Sequence, residues 1–230
     1  ILEGRSTSRL LNSNLTLVGN RQIGKDLDLT FVLGQEAVDD ISKNAQVIGR
    51  GVTVRDFRNL NANTTSYAPT FSTSQGRIIG AFANVTTVYR NFATIDLAVR
   101  NDWNSTLRKG NNSYLYYSVA GTLNLTEAFP SLKSDWVRLA KIRANYGRTG
   151  KANTRYATDS YYGTANPSDG FGPQILFPFN NLPGFTLFNG AGNPLLEPEF
   201  TTSAEVGVDL SLVKDRLSIE LTRYQTKSTG

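Results

Sequence analysis

The chain has 230 residues, 39% of them apolar, and its 24 basic and 19 acidic residues give a formal net charge of +5. No stretch approaches the roughly 20 consecutive apolar residues of a membrane-spanning helix, and the mean hydropathy is −0.30. Because cysteine and histidine are both absent, a disulfide framework, a Cys/His metal site and a thiol or Ser-His nucleophile pair are excluded. The basic residues are dispersed, which argues against nucleic acid as a partner.

The front of the chain predicts a hairpin. Ser13 to Ile23 and Asp26 to Ala37 flank a turn at Gly24-Lys25, and every second residue from Leu27 to Leu33 is apolar. This period of two is typical of a strand with two different faces. The next stretch, Asp39 to Gly76, lacks a clear period and is predicted to be a long connection.

Two further strands follow. Arg77 to Arg90 is rich in β-forming residues but ambiguous in phase, and Asn91-Phe92 is its turn. Ala93 to Trp103 alternates clearly: Ile95, Leu97 and Val99 lie on one face, and Thr94, Asp96 and Arg100 on the other. A connection from Ser105 to Asn112 comes next.

The middle of the chain predicts two more strands, Ser113 to Thr126 and Trp136 to Arg148, joined by a short connection from Glu127 to Asp135. In the second of them, Ala140, Ile142 and Ala144 alternate with basic or polar residues. Thr149 to Phe200 then forms the longest predicted loop, and it is unusually aromatic.

The clearest hairpin closes the chain. Thr201 to Leu212 and Arg216 to Lys227 both alternate strictly and meet at Lys214-Asp215. The sequence therefore predicts an all-β fold with eight candidate strands. Short joins alternate with long ones along the chain. This asymmetry is typical of antiparallel transmembrane β-barrels, whose periplasmic turns are tight and whose extracellular loops are long.

Three ordered motifs resemble the barrel of SusC/RagA-type TonB-linked outer-membrane receptors. They are Asp96 to Leu107, Val137 to Gly150 (VRLAKIRANYGRTG) and Asn193 to Leu210 (NPLLEPEFTTSAEVGVDL). The resemblance covers nearly the whole chain from Ser13. It implies that residues 1–230 are one partial barrel domain, about eight strands of a 22-strand barrel, with the plug, the TonB box and the last strand lying elsewhere.

The same resemblance implies a function. The family predicts TonB-dependent active import of oligosaccharides or peptides across the bacterial outer membrane, together with a SusD-like surface lipoprotein. It also implies TonB as a partner through the plug, outer-membrane lipid around the barrel, no enzyme activity and no cofactor. Coupling to TonB rests on this kinship alone.

Two groups of candidate site residues follow. Charged residues on a lipid-facing surface are costly, so the polar faces of the strands are expected to line the lumen. The candidates for contact with a plug or a substrate are Asp96, Arg100, Lys141, Arg143, Asn145, Glu205 and Asp209. The candidates for contact with a substrate or a lid protein are the loop aromatics Tyr161, Tyr162, Phe171, Phe177, Phe179, Phe185 and Phe188.

Two alternatives remain open from the sequence. A soluble β-sandwich for carbohydrate binding or adhesion would bury the apolar face of each strand in a core. A small eight-strand barrel acting as a passive pore would close on itself. For the loop aromatics, packing of the loop on itself competes with contact to a partner.

Overall fold

The computed structural model describes residues 1–52, 54, 59–60, 63–152, 154–165, 167, 171, 175 and 177–230. The strands are β1 Leu2–Ile23, β2 Leu27–Val52, β3 Asn63–Tyr89, β4 Ala93–Asn104, β5 Ser113–Asn124, β6 Val137–Lys151, β7 Tyr162–Thr164, β8 Phe185–Leu187, β9 Glu199–Leu212 and β10 Leu217–Thr229. A short helix, α1 Leu125–Ala128, and a 3-10 turn, Pro130–Leu132, lie between β5 and β6. Among the described residues no helix is both long and apolar enough to cross a membrane.

Eight strands form one antiparallel sheet in the order β1-β2-β3-β4-β5-β6-β9-β10. Each strand of this sheet pairs with the next one along the chain, except that β6 pairs with β9 because the small β7-β8 hairpin of the long loop lies between them in the sequence. The all-β prediction and the eight predicted strands are confirmed. β1 and β10 are the two edges, so the described sheet does not close on itself and the small closed barrel is not formed.

The predicted loop from Asp39 to Gly76 is wrong for most of its length. β2 continues to Val52, β3 begins at Asn63, and the pairing runs without a shift from Leu27 with Tyr89 to Arg50 with Ser66. β1 likewise starts at Leu2 and pairs with β2 throughout. The sequence pattern missed these extensions because both of their faces carry polar residues, and a strand needs the period of two only where one face is apolar.

The tight turns have the backbone that hairpins require. Arg90 and Asn91 both have positive φ, 45° and 58°, and Gly24 has φ 66°. Such left-handed turns match the twist of the strands that they join. At the last turn Val213, Lys214 and Asp215 have φ between 53° and 64°. The predicted short join from Glu127 to Asp135 holds the end of α1 and the 3-10 turn.

The register assigns every strand residue to one of two faces, because paired residues of an antiparallel ladder point to the same side. We call the face that carries Ile95, Leu97 and Val99 the apolar face and the opposite one the polar face. On the apolar face Ile95, Leu97, Val99, Val119, Val206 and Leu221 are 41% to 64% exposed. The register also settles the phase of β3, placing Ile79, Ala83 and Val85 on the apolar face.

Almost nothing in the described structure is a water-shielded core. The buried hydrophobic residues among those described are Leu107, Tyr114 and Ala165. A soluble sandwich would cover its apolar face with a second sheet, but the described strands form one layer apart from the β7-β8 hairpin. The sandwich alternative therefore does not fit, and the uncovered apolar face has the character of a surface for lipid.

Candidate functional site

The seven charged or polar candidates all lie on the polar face. Asp96 and Arg100 are on β4, and Arg100 pairs across the ladder with Tyr116 of β5. The remaining five stand together on β6 and β9, where the register sets two of them directly opposite two others. They are Lys141 opposite Asp209, Asn145 opposite Glu205, and Arg143 between those rows.

Arg143 is the centre of one ion-pair cluster. Its guanidinium contacts Asp209 (Nη1 to Oδ1, 3.3 Å), Glu205 (Nε to Oε1, 3.9 Å) and Glu220 of β10. It also donates a hydrogen bond to Thr222 Oγ1 at 2.7 Å. The side chain lies over Gly207, where a Cβ would collide with its Nε. A glycine at this position therefore makes room for the arginine to reach from β6 to β10.

Arg100 is the centre of a second cluster that sequence reasoning recovered only in part. Its Nε donates to Asp102 Oδ1 at 2.7 Å, and its Nη2 lies 2.9 Å from Glu36 Oε2 on β2. Tyr116 donates its hydroxyl hydrogen to the other Asp102 oxygen at 2.6 Å. Glu36 and Asp102 stand at polar-face positions in the alternation along their strands, and this alternation could have placed them in the cluster once the register was known.

The two clusters lie in different rows of the polar face. Arg100 pairs with Tyr116 of β5, whereas Arg143 pairs with Thr122, six residues further along that strand. At about 3.3 Å per residue the rows are roughly 20 Å apart along the strand direction. Lys141 belongs to the Arg143 cluster, because its Nζ lies 3.7 Å from Oδ2 of Asp209. Each cluster then has one more carboxylate than it has basic groups, so the face is locally acidic at both.

Asp96 and Asn145 lie outside these clusters. Asp96 accepts a hydrogen bond from Thr86 of β3 at 2.5 Å, and Asn145 is exposed. Asp96 is thus fixed by its neighbour strand, whereas the Asn145 side chain is open to solvent on the polar face.

The long loop after β6 is fastened to strands on the other side of the sheet. Arg155 Nη2 lies 3.1 Å from Asp40 Oδ2 on β2, and its Nη1 donates to Ser74 Oγ on β3 at 3.1 Å. Tyr156 accepts a hydrogen bond from the Gln75 backbone N–H at 2.9 Å. From β6 to β2 is four strand spacings, about 19 Å. Asp40 and Ser74 belong to the polar face, so the loop crosses that face above the clusters.

The loop aromatics are brought together only in part. Tyr161 and Phe188 stack with their ring centroids 4.7 Å apart, and Phe177 packs over Gly184. Tyr162 in β7 and Phe185 in β8 remain 72% and 68% exposed. The two other candidates are also exposed, Phe179 at 56% and Phe171 at 98%. Self-packing therefore accounts for Tyr161, Phe188 and Phe177, but not for Tyr162 and Phe185.

An open groove of about 630 Å³ lies between the loop, a middle part of β3 and the residues that follow β4. Most of its lining residues carry a hydroxyl group, and they are Ser72, Thr73, Ser105, Thr106, Tyr156, Thr158, Asp159 and Tyr161. No cluster of three or more metal-ligating side chains occurs in the described part of the chain. The chemistry on offer is hydrogen bonding and ring contact to a polar solute.

A one-layer antiparallel sheet with one exposed apolar face, one charged face, tight turns at one end and long loops at the other is the wall of a transmembrane β-barrel. The model of the family described as TonB dependent receptor-like, beta-barrel, matches residues 3–230. The chain belongs to this family, and its place is the bacterial outer membrane. The resemblance drawn from the sequence is confirmed.

Individual relatives agree with the family. TonB-dependent receptor P26 of Formosa agariphila is 25% identical over 222 residues, which are 94% of this chain and 21% of the relative. The RagAB peptide transporter superposes with a TM-score of 0.82 at 20% identity, over 99% of this chain and 24% of the transporter chain. The siderophore receptor PirA from Acinetobacter baumannii gives a TM-score of 0.58 at 17% identity, over 97% and 27%. The chain thus spans about a fifth to a quarter of the length of these relatives.

Proposed function

We propose that the chain forms part of the wall of an outer-membrane importer that takes up oligosaccharides or peptides by TonB-dependent active transport. The observation that carries the proposal is the pairing of an uncovered apolar face with a charged polar face on the same eight strands. That arrangement suits a wall with lipid on one side and a water-filled lumen on the other. Family membership supplies the TonB dependence.

In this proposal the polar face lines the lumen. The Arg143 and Arg100 clusters stand inside it in different rows. Because each cluster has a surplus of carboxylate, the wall favours contact with cationic or hydrogen-bonding groups over contact with anions. Asp96, Asn145 and the clustered residues are then positions where a plug or a passing solute touches the wall.

Residues 1–230 are proposed to be one section of a larger, 22-strand barrel domain. The plug and the TonB box lie in other parts of the whole protein, and the inner-membrane TonB complex displaces the plug to open the lumen. What the wall contributes is a fixed polar surface along which the substrate moves once the plug has shifted.

The loop is proposed to meet a SusD-like lipoprotein or the substrate at the extracellular mouth. Its anchors at Asp40, Ser74 and Gln75 hold it across the polar face. Tyr162 and Phe185 leave most of their ring surface uncovered, and exposed aromatic rings are favoured contact residues for proteins and sugars. The relative named RagAB is a peptide transporter, which makes peptides a natural first substrate to test.

The test uses the full-length protein in its own outer membrane. Replacing Tyr162 and Phe185 together with alanine should lower lipoprotein capture and growth on peptide or oligosaccharide as the sole nutrient, while barrel assembly stays normal. The matched control is the Tyr161→Ala, Phe188→Ala pair, which removes the internal stack instead. Unchanged capture and growth after removal of residues 170–190 would refute the role of the loop.

A further inference from the structure

Three basic residues form a cluster on the outward extension of the first two strands. Arg5 and Arg9 are on β1 and Lys43 is on β2, and all three lie on the side that continues the apolar face. Lys43 stands opposite Thr7, so Arg5 and Arg9 are its two diagonal neighbours. Diagonal neighbours in an antiparallel pair are about 7 to 8 Å apart. We call these three residues the basic cluster.

The basic cluster forms no ion pair in the described structure, although Asp39 attracts Arg9 at longer range. All three side chains are exposed, and none makes an ion pair or a side-chain hydrogen bond with another described residue. The nearest carboxylate toward the turns, Asp39, is held by Arg77, whose Nε donates to it at 3.1 Å. Glu3, one place beyond Arg5 on the same side, forms no ion pair with the cluster either. Like charges this close disfavour each other on a strand surface, so an anion bound from outside would relieve the repulsion.

The height of the basic cluster coincides with lipid head groups. Arg9 is 14 residues from the end of β1 at Ile23, and Arg5 is 18. With about 3.3 Å per residue and a tilt near 45°, these positions are roughly 33 and 42 Å above the tight turns, beyond an apolar band about 25 Å tall. The cluster therefore lies at and just above the outer surface of the bilayer.

Apolar side chains stand beside these charges. Leu11, one place below Arg9 on β1, is 61% exposed, and Phe71 on β3 is 75% exposed. Phe71 faces Ala45, which is next to Lys43 on the same side of β2. Basic groups interleaved with exposed apolar groups fit a ligand that has both an anionic head and a hydrocarbon part.

We propose that the basic cluster binds the phosphate-bearing head group of an anionic outer-leaflet lipid. Arg5, Arg9 and Lys43 contact the phosphate, and Leu11 and the apolar face below them contact the acyl chains. This inference rests on the proposed function only in placing the apolar face toward lipid and the long loops outside the cell. It assigns the extended β1-β2 wall a role that import itself does not require.

The experiment measures lipid binding to the delipidated full-length protein in detergent by native mass spectrometry. The probes are lipid A with two phosphates, dephosphorylated lipid A and inorganic phosphate. The variant is the triple substitution Arg5→Gln, Arg9→Gln and Lys43→Gln. If each basic group strengthens lipid binding about twofold to fivefold, loss of all three should weaken lipid A binding roughly tenfold to a hundredfold. Dephosphorylated lipid A should bind the unmodified protein at least about tenfold more weakly.

A second triple variant controls for net charge. Arg21→Gln, Lys25→Gln and Arg216→Gln remove the same charge near the tight turns and should leave lipid A binding unchanged. Equal lipid A binding by the cluster variant and the unmodified protein would overturn the proposal, as would full displacement of lipid A by inorganic phosphate. If the triple variant does not assemble, Lys43→Gln alone should still weaken binding about threefold or more. Nutrient uptake is measured in parallel, so that a failure of import is separable from a failure of lipid binding.

Discussion

The two faces of the sheet are formed by the same strands, but one face requires apolar side chains and the other requires polar ones. Val208 and Asp209 are neighbours in the chain, yet Val208 pairs with Ile142 and Leu221 on the apolar face while Asp209 pairs with Lys141 and Glu220 on the polar face. A shift of one residue would exchange them. The difference teaches that the position of a residue in the register, more than its neighbourhood in the sequence, decides its environment in this molecule.

The comparison also marks where the apolar face ends. On that side Arg21 lies near a tight turn, and Arg148 lies toward the loops with its guanidinium 3.7 Å from the centre of the Phe200 ring. Arg223 lies opposite Val206 within β10. Between those levels the side chains are Leu, Ile, Val, Ala and Tyr on most strands. The apolar face is therefore a band of limited height, as a bilayer requires, and the long β1-β3 extensions rise beyond it.

The largest expected effect comes from charging the apolar face at mid-height. Val208→Arg should prevent assembly, because arginine on the lipid side near the bilayer midplane costs about 2 to 4 kcal/mol. Asp209→Asn, one residue along on the polar face, should assemble normally. The measurement is the heat-modifiable folded band of the full-length protein in outer membranes. Equal assembly of the two variants would reverse or abolish the assignment of the faces.

A smaller loss is expected where an aromatic ring covers a glycine. Phe82 lies over Gly34 on the polar face, and Phe31 lies over Gly19 on the apolar face, so that a Cβ at either glycine would collide with the ring. Gly34→Ala should lower the free energy of unfolding by about 1 to 3 kcal/mol, the usual cost of overpacking. Urea titration of the protein in lipid vesicles measures it.

The control for this glycine is Gly121→Ala. A Cβ at Gly121 would be 4.0 Å from the Thr94 carbonyl oxygen, an ordinary contact, and its φ is not in the left-handed region. This substitution should therefore leave the unfolding midpoint nearly unchanged. If both variants were equally stable, the Phe82 ring would be free to move aside, and the contact between ring and glycine would not contribute to the free energy of unfolding.

The polar face can be compared with a charge pair that belongs to neither face. Arg100 contacts Glu36 and Asp102 with its side chain 24% exposed, whereas Lys214 and Asp135 in the turn region are 66% and 69% exposed. Arg100→Gln should cost about 1 to 2 kcal/mol, because hydrogen bonds to charged groups in a network outweigh an isolated surface pair. Lys214→Gln should have no measurable effect in the same urea titration. Equal midpoints for both variants would contradict a stabilising role of the network.

The fold was largely predictable because lipid and water impose the period of two. Wherever one face meets lipid, as from Ile95 to Val99 or from Ala204 to Leu212, alternation in the sequence gave both the strand and its two faces. The extensions of β2 and β3 above the bilayer obey no such demand, and the sequence pattern from Asp39 to Gly76 indicated a loop. β-Structure without an apolar face leaves little trace in a single sequence.

The sequence predicted which face the site residues share, but it did not predict which residues they contact. Arg143, Asp209 and Glu205 were recognised as sharing a face, but their convergence with Glu220 depends on the register of β9 with β10. Glu36 is 64 residues from Arg100 and reaches it only because β3 lies between their two strands with both pairings in place. The anchoring of Arg155 to Asp40 crosses four strand spacings and left no local signal.

The smallest expected effect lies in a tight turn, where side chains belong to neither face. Arg90 hydrogen-bonds to Asp26 and lowers the pKa of that carboxyl below its usual value. Because the carboxyl has a lower pKa folded than unfolded, the pair stabilises the fold above the unfolded pKa near 4, and this contribution is lost as the pH falls through the folded pKa. Both groups are exposed, so the change should be slight. NMR titration of Asp26 in the full-length protein should show its pKa rising toward the ordinary value in Arg90→Gln, and an unshifted titration would mean that the turn pair is not formed in solution.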